Sequence, residues 1–94
     1  MDISVHPDWW KTLFDDIYLR TDARSVGDDG LSSREVDVIC ELLPIRRGHR
    51  ILDLCGGQGR HSLQLMERGL AECTVVDFSR HLIKCGMERA RQRG

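Results

Sequence analysis

At 94 residues the chain holds one domain at most, near the lower end of what folds alone, because so short a chain buries only about two-thirds of the surface it exposes when unfolded. Hydrophobic residues make up 40% and charged residues 31%, with a net charge of −1, which excludes a disordered tail and argues against a nucleic-acid partner. The charge is uneven, with ten acids against six bases in residues 1–47 and five against eight in residues 48–94.

Pro7 suits the first turn of a helix, where its missing N–H costs nothing, and Asp8 suits the dipole there. Trp10, Leu13, Phe14 and Ile17 follow at helical spacing, with Trp9 and Tyr18 at the edges of the stripe, so a first helix is expected over residues 8–19. Residues 21–31 are polar, include Gly27 and Gly30, and read as a loop. Ser32 with Glu35 three residues on makes a capping-box pattern that opens a second helix. Val36, Ile39, Cys40 and Leu43 line its buried face, and Pro44 ends it.

After a connector, Arg50-Ile51-Leu52-Asp53-Leu54-Cys55 reads as a strand that feeds the glycine loop Gly56-Gly57-Gln58-Gly59. A third helix opens near Arg60, buries Leu63 and Met66, and stops with Gly69 just past its end. Cys73-Thr74-Val75-Val76 is a second strand ending at Asp77. Ser79 caps a fourth helix whose inward residues are Leu82, Ile83, Gly86, Met87 and Ala90. The fold class expected is therefore α/β: a Rossmann-like βαβα unit with two parallel strands and a right-handed crossover, preceded by two N-terminal helices. Residues 1–48 form a helical cap, and residues 49–94 the first part of a doubly wound, cofactor-binding domain.

The chemistry sits in the loop and in the acid after the second strand. Glycines at a strand-to-helix turn let the backbone approach a ligand, and the helix N-terminus beyond them favours a carboxylate or phosphate. An acid ending the next strand stands beside the same crevice, where it can accept hydrogen bonds from ribose hydroxyls. A nucleoside-type cofactor across the carboxyl ends of two strands satisfies all three. The dinucleotide pattern G-x-G-x-x-G/A is imperfect here, since counting from Gly57 gives Gly59 and then Ser62. No Lys-Ser or Lys-Thr follows the loop, which excludes a P-loop.

Asp53, Gly57 and Gly59, with Cys55 in place of the first glycine, resemble the D-x-G-x-G-x-G motif of class I S-adenosylmethionine-dependent methyltransferases of the small-molecule type. Val75-Val76-Asp77-Phe78-Ser79 resembles their second motif, with Asp77 18 residues beyond Gly59. The resemblance covers roughly residues 9 to 94. It implies that the cofactor is S-adenosyl-L-methionine and that residues 56–59 hold its methionine part. Asp77 would bind both ribose hydroxyls, and Asp53 would order the loop and meet the cofactor's amino group. Cys55, Gly56, Gly57, Gly59 and Phe78 complete the expected cofactor site together with Tyr18, the aromatic of the first helix expected to touch ligand. The reaction implied is methyl transfer to a small-molecule acceptor. The walls that position that acceptor come, in similar enzymes, from the third strand onward, so this chain is expected to be an incomplete domain. The alternatives are a non-catalytic nucleoside-binding or interaction module and a NAD(P)-dependent oxidoreductase fragment, the latter disfavoured by Ser62.

Several residues carry two readings. Trp9, Trp10 and Tyr18 have the spacing of an aromatic lid over a cationic sulfonium, and equally of a packed helix face. Arg60 and His61 either face the ligand or lie on a solvated helix surface. Cys55 beside a helix N-terminus is a reactive thiol or a small filler. His81 and Cys85 stand four apart on a helix, but two ligands do not make a metal site. Arg80, Lys84, Arg89, Arg91 and Arg93 read as a wet helix face or as a steering patch for an anion. The four cysteines show no C-x-x-C spacing and suit buried, reduced thiols. The N-terminus lacks the pattern of a secretory signal, and no apolar run approaches the roughly 20 residues that span a bilayer. The expected address is cytoplasmic, with no membrane or nucleic-acid partner and with open sheet edges through which copies can associate. No catalytic base is identifiable.

Overall fold

A computed structural model describes residues 4–22 and 27–93. In chain order its elements are α1 (Trp10–Leu13), α2 (Asp16–Thr21), α3 (Asp29–Leu42), β1 (His49–Leu54), α4 (Arg60–Glu67), β2 (Ala71–Val76) and α5 (Arg80–Arg93). The two strands pair in parallel, with Asp53 opposite Val75 and Leu54 opposite Val76. The strand–helix–strand–helix order expected from Arg50 onward is present, as a partial Rossmann-like unit.

The expected first helix is interrupted. Asp15 adopts an extended backbone and its carboxylate accepts hydrogen bonds from the Ile17 and Tyr18 amides, at 2.9 and 3.4 Å. A short acidic side chain gains more by capping a new helix than by continuing an old one, so α1 stops and α2 begins. The inward stripe shifts accordingly. Leu13 and Ile17, expected to be buried, are exposed, while Phe14 and Tyr18 are half-buried. Among the described residues, three helices rather than two therefore precede β1.

Both ends of the span expected as a loop, residues 21–31, are helical instead. Thr21 closes α2, and α3 starts at Asp29 behind Asp28, whose carboxylate accepts the Leu31 amide at 3.0 Å; residues 23–26 lie outside the described residues. Asp28 outcompetes Ser32 as the cap, so the Ser32–Glu35 capping box does not form. Ser32 is instead buried one turn inside the helix. Leu43 leaves the helix with an extended backbone, as the following Pro44 requires.

α4 ends in a Schellman arrangement, the Gly69 amide bonding to the Met66 carbonyl and the Leu70 amide to the Leu65 carbonyl. Gly69 takes φ +68°, the left-handed conformation that a glycine adopts without strain. The core lies between the helices and one face of the sheet, where Val36, Leu65 and Leu82 are the fully buried apolar residues among those described. Leu65, not Leu63 or Met66, is the residue of α4 that is fully enclosed, because the helix turns Ser62 and Leu65 inward together, one turn apart. On α5 Leu82 is buried as expected, whereas Met87 is 56% exposed and Ala90 is exposed. The opposite sheet face is bare, with Leu52, Leu54 and Val76 all exposed.

Ion pairs lace the helices together. Arg68, just past the end of α4, reaches Asp37 and Ser33 of α3, and Arg89 and Arg93 of α5 share Asp29 at the start of α3. Two of the five late cations are thus engaged in the fold. No helix among the described residues is long and apolar enough to cross a membrane.

Candidate cofactor site

The carboxyl ends of β1 and β2 open into a cavity of about 540 Å³, within the range of small-ligand sites. Its floor is the turn after β1. Cys55 leaves the strand at φ +58°, and Gly57 and Gly59 follow at +59° and +75°. Three left-handed residues in five coil the chain tightly enough for α4 to begin at Arg60. Gly56 makes room for something else: a Cβ there would lie 2.6–2.8 Å from the Asp53 carboxylate.

Asp77 follows β2 and turns its carboxylate onto this loop. Oδ2 accepts the Gly57 amide at 2.8 Å, and Oδ1 accepts the Ser79 amide at 2.8 Å. A carboxylate has about four lone-pair positions, so acceptor capacity remains for a ligand. Asp53 Oδ2 accepts the Ser62 hydroxyl at 2.7 Å. The serine that spoils the dinucleotide pattern therefore fixes the acid of the first motif. Cys73 lies behind this pair; burial, with the Asp53 charge beside it, pushes its thiol above the ordinary value despite an opposing hydrogen bond with Ser62.

The helical segment supplies the wall opposite the loop. Trp10, Phe14 and Tyr18 line the cavity, with Trp10 edge-on to Phe78 and Phe14 edge-on to Tyr18, each at 5.0 Å between ring centroids. The Ser79 hydroxyl donates to the Phe14 carbonyl and accepts the Leu82 amide at 3.1 Å. One side chain thus caps α5 and pins the break between α1 and α2 over the site. Of the aromatic residues in this segment, Trp10, Phe14 and Tyr18 line the cavity, whereas Trp9 is 48% exposed and is not part of its lining.

Of the residues expected at the site, Tyr18, Asp53, Cys55, Gly56, Gly57, Asp77 and Phe78 line this cavity, and Gly59 does not. Gly59 faces the sheet, where an added Cβ would stand 3.3 Å from Val75 Cγ2; it serves the approach of helix to strand. Cys55 is exposed rather than buried. The Cys85 and His81 side chains touch at 3.7 Å, and no third His, Cys, Asp or Glu joins them among the described residues.

Sequence reasoning missed the cluster at the cavity's edge. Arg60 forms an ion pair with Glu35 through Nη1 and donates from the same nitrogen to Ser32 Oγ at 3.3 Å. The Arg60 guanidinium holds the Glu35 carboxyl below its ordinary value. His61 Nε2 is enclosed, 3.5 Å from Glu35 Oε1, and completes no hydrogen bond among the described residues. The signal was the Ser32–Glu35 spacing itself, which serves a tertiary partner instead of a cap. Gly86, expected only to face inward, packs its Cα on the Gln58 backbone so closely that a Cβ would meet the carbonyl oxygen at 2.6 Å. A glycine inside a helical pattern was its signal.

Over 53 residues, 54% of this chain, the sequence is 38% identical to the ubiquinone/menaquinone biosynthesis C-methyltransferase UbiE of Rhizobium meliloti (strain 1021), covering 20% of that protein. Over 88 residues, 93% of the chain, it is 27% identical to the demethylmenaquinone methyltransferase of Paenarthrobacter aurescens (strain TC1), covering 34% of it. The chain thus spans about a third or less of the length of these relatives. The model of the ubiE/COQ5 methyltransferase family matches residues 11–94, so the chain belongs to that family.

Proposed function

We propose that this chain supplies the S-adenosyl-L-methionine-holding part of a methyltransferase whose acceptor is a small molecule of the quinone class. The observation that carries this reading is the Asp77 carboxylate lying on the Gly57 amide at 2.8 Å, inside a cavity walled by aromatic rings. The residues present fit the cofactor. Backbone at residues 56–57 is accessible from the cavity, Asp77 keeps free lone pairs for ribose hydroxyls, and Asp53 puts a fixed negative charge where an ammonium group would stand. Aromatic faces at Trp10, Phe14 and Tyr18 suit a sulfonium, which they attract electrostatically.

Bound, the cofactor would supply an electrophilic methyl group. The chain's own contribution is positioning, which provides much of the rate in such transfers: the loop holds one end of the ligand, Asp77 its middle, and the aromatic wall excludes water. The quinone class and transfer to carbon are carried over from the relatives' names. Methyl transfer by the whole protein needs an acceptor pocket, and no residue here is assigned as a base.

Calorimetric titration of the chain with S-adenosylhomocysteine tests the reading, with NAD as the control. Binding of the first and not of the second is expected. Binding of NAD alone would replace the proposal with an oxidoreductase role.

A further inference from the structure

We infer that Arg60 is the carboxylate-binding residue of this cavity, an arginine tethered at one nitrogen by the cap helix and presenting its others to the amino-acid end of an adenosyl amino acid. This rests on the proposed cofactor reading and adds the group that reads the ligand's anionic end. Arg60 lines the cavity, and its two contacts, with Glu35 and Ser32, both run through Nη1. Nη2 and Nε make no hydrogen bond among the described residues. A guanidinium offers five N–H donors in a planar fork that matches a carboxylate, so a tether at one nitrogen leaves a donor pair available.

The charge layout supports the same end of the ligand. The other fixed charges lining the cavity are Asp53 and Asp77, both negative. A zwitterionic amino-acid group needs an acid for its ammonium and a cation for its carboxylate, and Arg60 is the one permanent cation among the described lining residues. Arg60 is also the first residue of α4, directly after the loop. There the unpaired amides and the positive end of the helix dipole add to the attraction for an anion. Glu35 and Ser32 restrict the guanidinium before the ligand arrives, which lowers the entropy lost on binding.

Two ligands that differ only at that end test the assignment: S-adenosylhomocysteine, which carries the amino-acid group, and 5′-methylthioadenosine, which lacks it. Titrated into the full chain, Arg60→Gln should weaken S-adenosylhomocysteine roughly tenfold to a hundredfold, the range for a hydrogen bond to a charged group. Its affinity for 5′-methylthioadenosine should stay within a factor of about two, which also shows that the variant is folded. Equal affinity of wild type and Arg60→Gln for S-adenosylhomocysteine overturns the inference and leaves the cofactor reading standing. If Arg60→Gln takes up neither ligand, Arg60→Lys decides. Lysine keeps a charge for Glu35 but lacks the fork, so a selective loss of S-adenosylhomocysteine supports the inference, and unchanged or equally lost affinity for the two ligands overturns it. A wild-type chain that binds neither ligand overturns the cofactor reading and this inference together.

Discussion

The Asp77 carboxylate accepts the Gly57 amide at 2.8 Å and, through its other oxygen, the Ser79 amide at the same distance. The acid proposed to hold the ribose therefore also ties the carboxyl end of β2 to the turn after β1 and sets the start of α5. Binding and loop geometry are coupled at one side chain.

Asp77→Ala should accordingly weaken S-adenosylhomocysteine and 5′-methylthioadenosine alike, by roughly tenfold to a hundredfold, because both carry the ribose. It also leaves the Gly57 and Ser79 amides without their acceptors. Asp77→Asn retains one acceptor oxygen and should lose less. Calorimetry on both variants checks this, and unchanged affinity in Asp77→Ala would remove Asp77 from the site.

Cys55 holds φ +58° where the family motif carries glycine. A side chain in the left-handed region costs about 1–2 kcal/mol, offset in part by the extra freedom glycine gives the unfolded chain. Cys55→Gly should raise stability by up to about 1 kcal/mol, read from the midpoint of urea unfolding. Destabilisation would mean that the thiol has packing partners that its exposure does not reveal.

The βαβα order, the glycine turn and the acid after β2 were all readable in the sequence, because each depends on short-range signals: alternation, glycine position, a capping serine at residue 79. What was not readable arose from competition between local options and distant ones. Asp15 had no visible reason to break a well-patterned helix until its carboxylate found two amides ahead of it. Ser32 and Glu35 matched a cap that Asp28 supplied better, which freed both for Arg60, 28 and 25 residues away. Gly59 fitted the loop motif but packs on Val75 from the far strand. At Asp15 and Asp28 one local cap prevailed over another local signal; at Arg60 and Gly59 distant partners decided, and no short window of sequence contains those.

Gly86 and Gln58 show the same long-range constraint. With a Cβ meeting the Gln58 carbonyl at 2.6 Å, Gly86→Ala must push α5 away from the cofactor loop. Overpacking of this kind costs about 1–3 kcal/mol, against about 1 kcal/mol gained from helix propensity. The net should be destabilising by up to about 2 kcal/mol, with weaker nucleoside binding as the loop shifts. Denaturant unfolding and ligand titration of the variant measure both.

Exposure and burial should separate the thiols. Cys55 is exposed, whereas Cys73 is half-buried and its thiol is raised above the ordinary value, chiefly by burial. The thiolate is the reacting form, so alkylation at neutral pH should reach Cys55 well before Cys73. Peptide mass spectrometry after timed treatment with iodoacetamide resolves the order. Equal rates would show that the sheet opens at Cys73 on the timescale of the reaction.

The Arg60–Glu35 pair gives the fold an acid-sensitive tie between cap and loop. Arg60 lowers the Glu35 carboxyl from its ordinary value of 4.5, and a group depressed on folding binds protons more readily when the chain is unfolded. The stability it contributes is therefore complete above about pH 5 and is lost as the pH falls from there through the lowered folded value. Glu35 is partly exposed, at 40%, so the effect is screened and modest. Glu35→Gln should be less stable than wild type at neutral pH and should converge toward it in acid. Thermal melting from pH 7 down to pH 3, at low and high salt, tests this; parallel curves for the two proteins would show that the ion pair adds nothing to the fold.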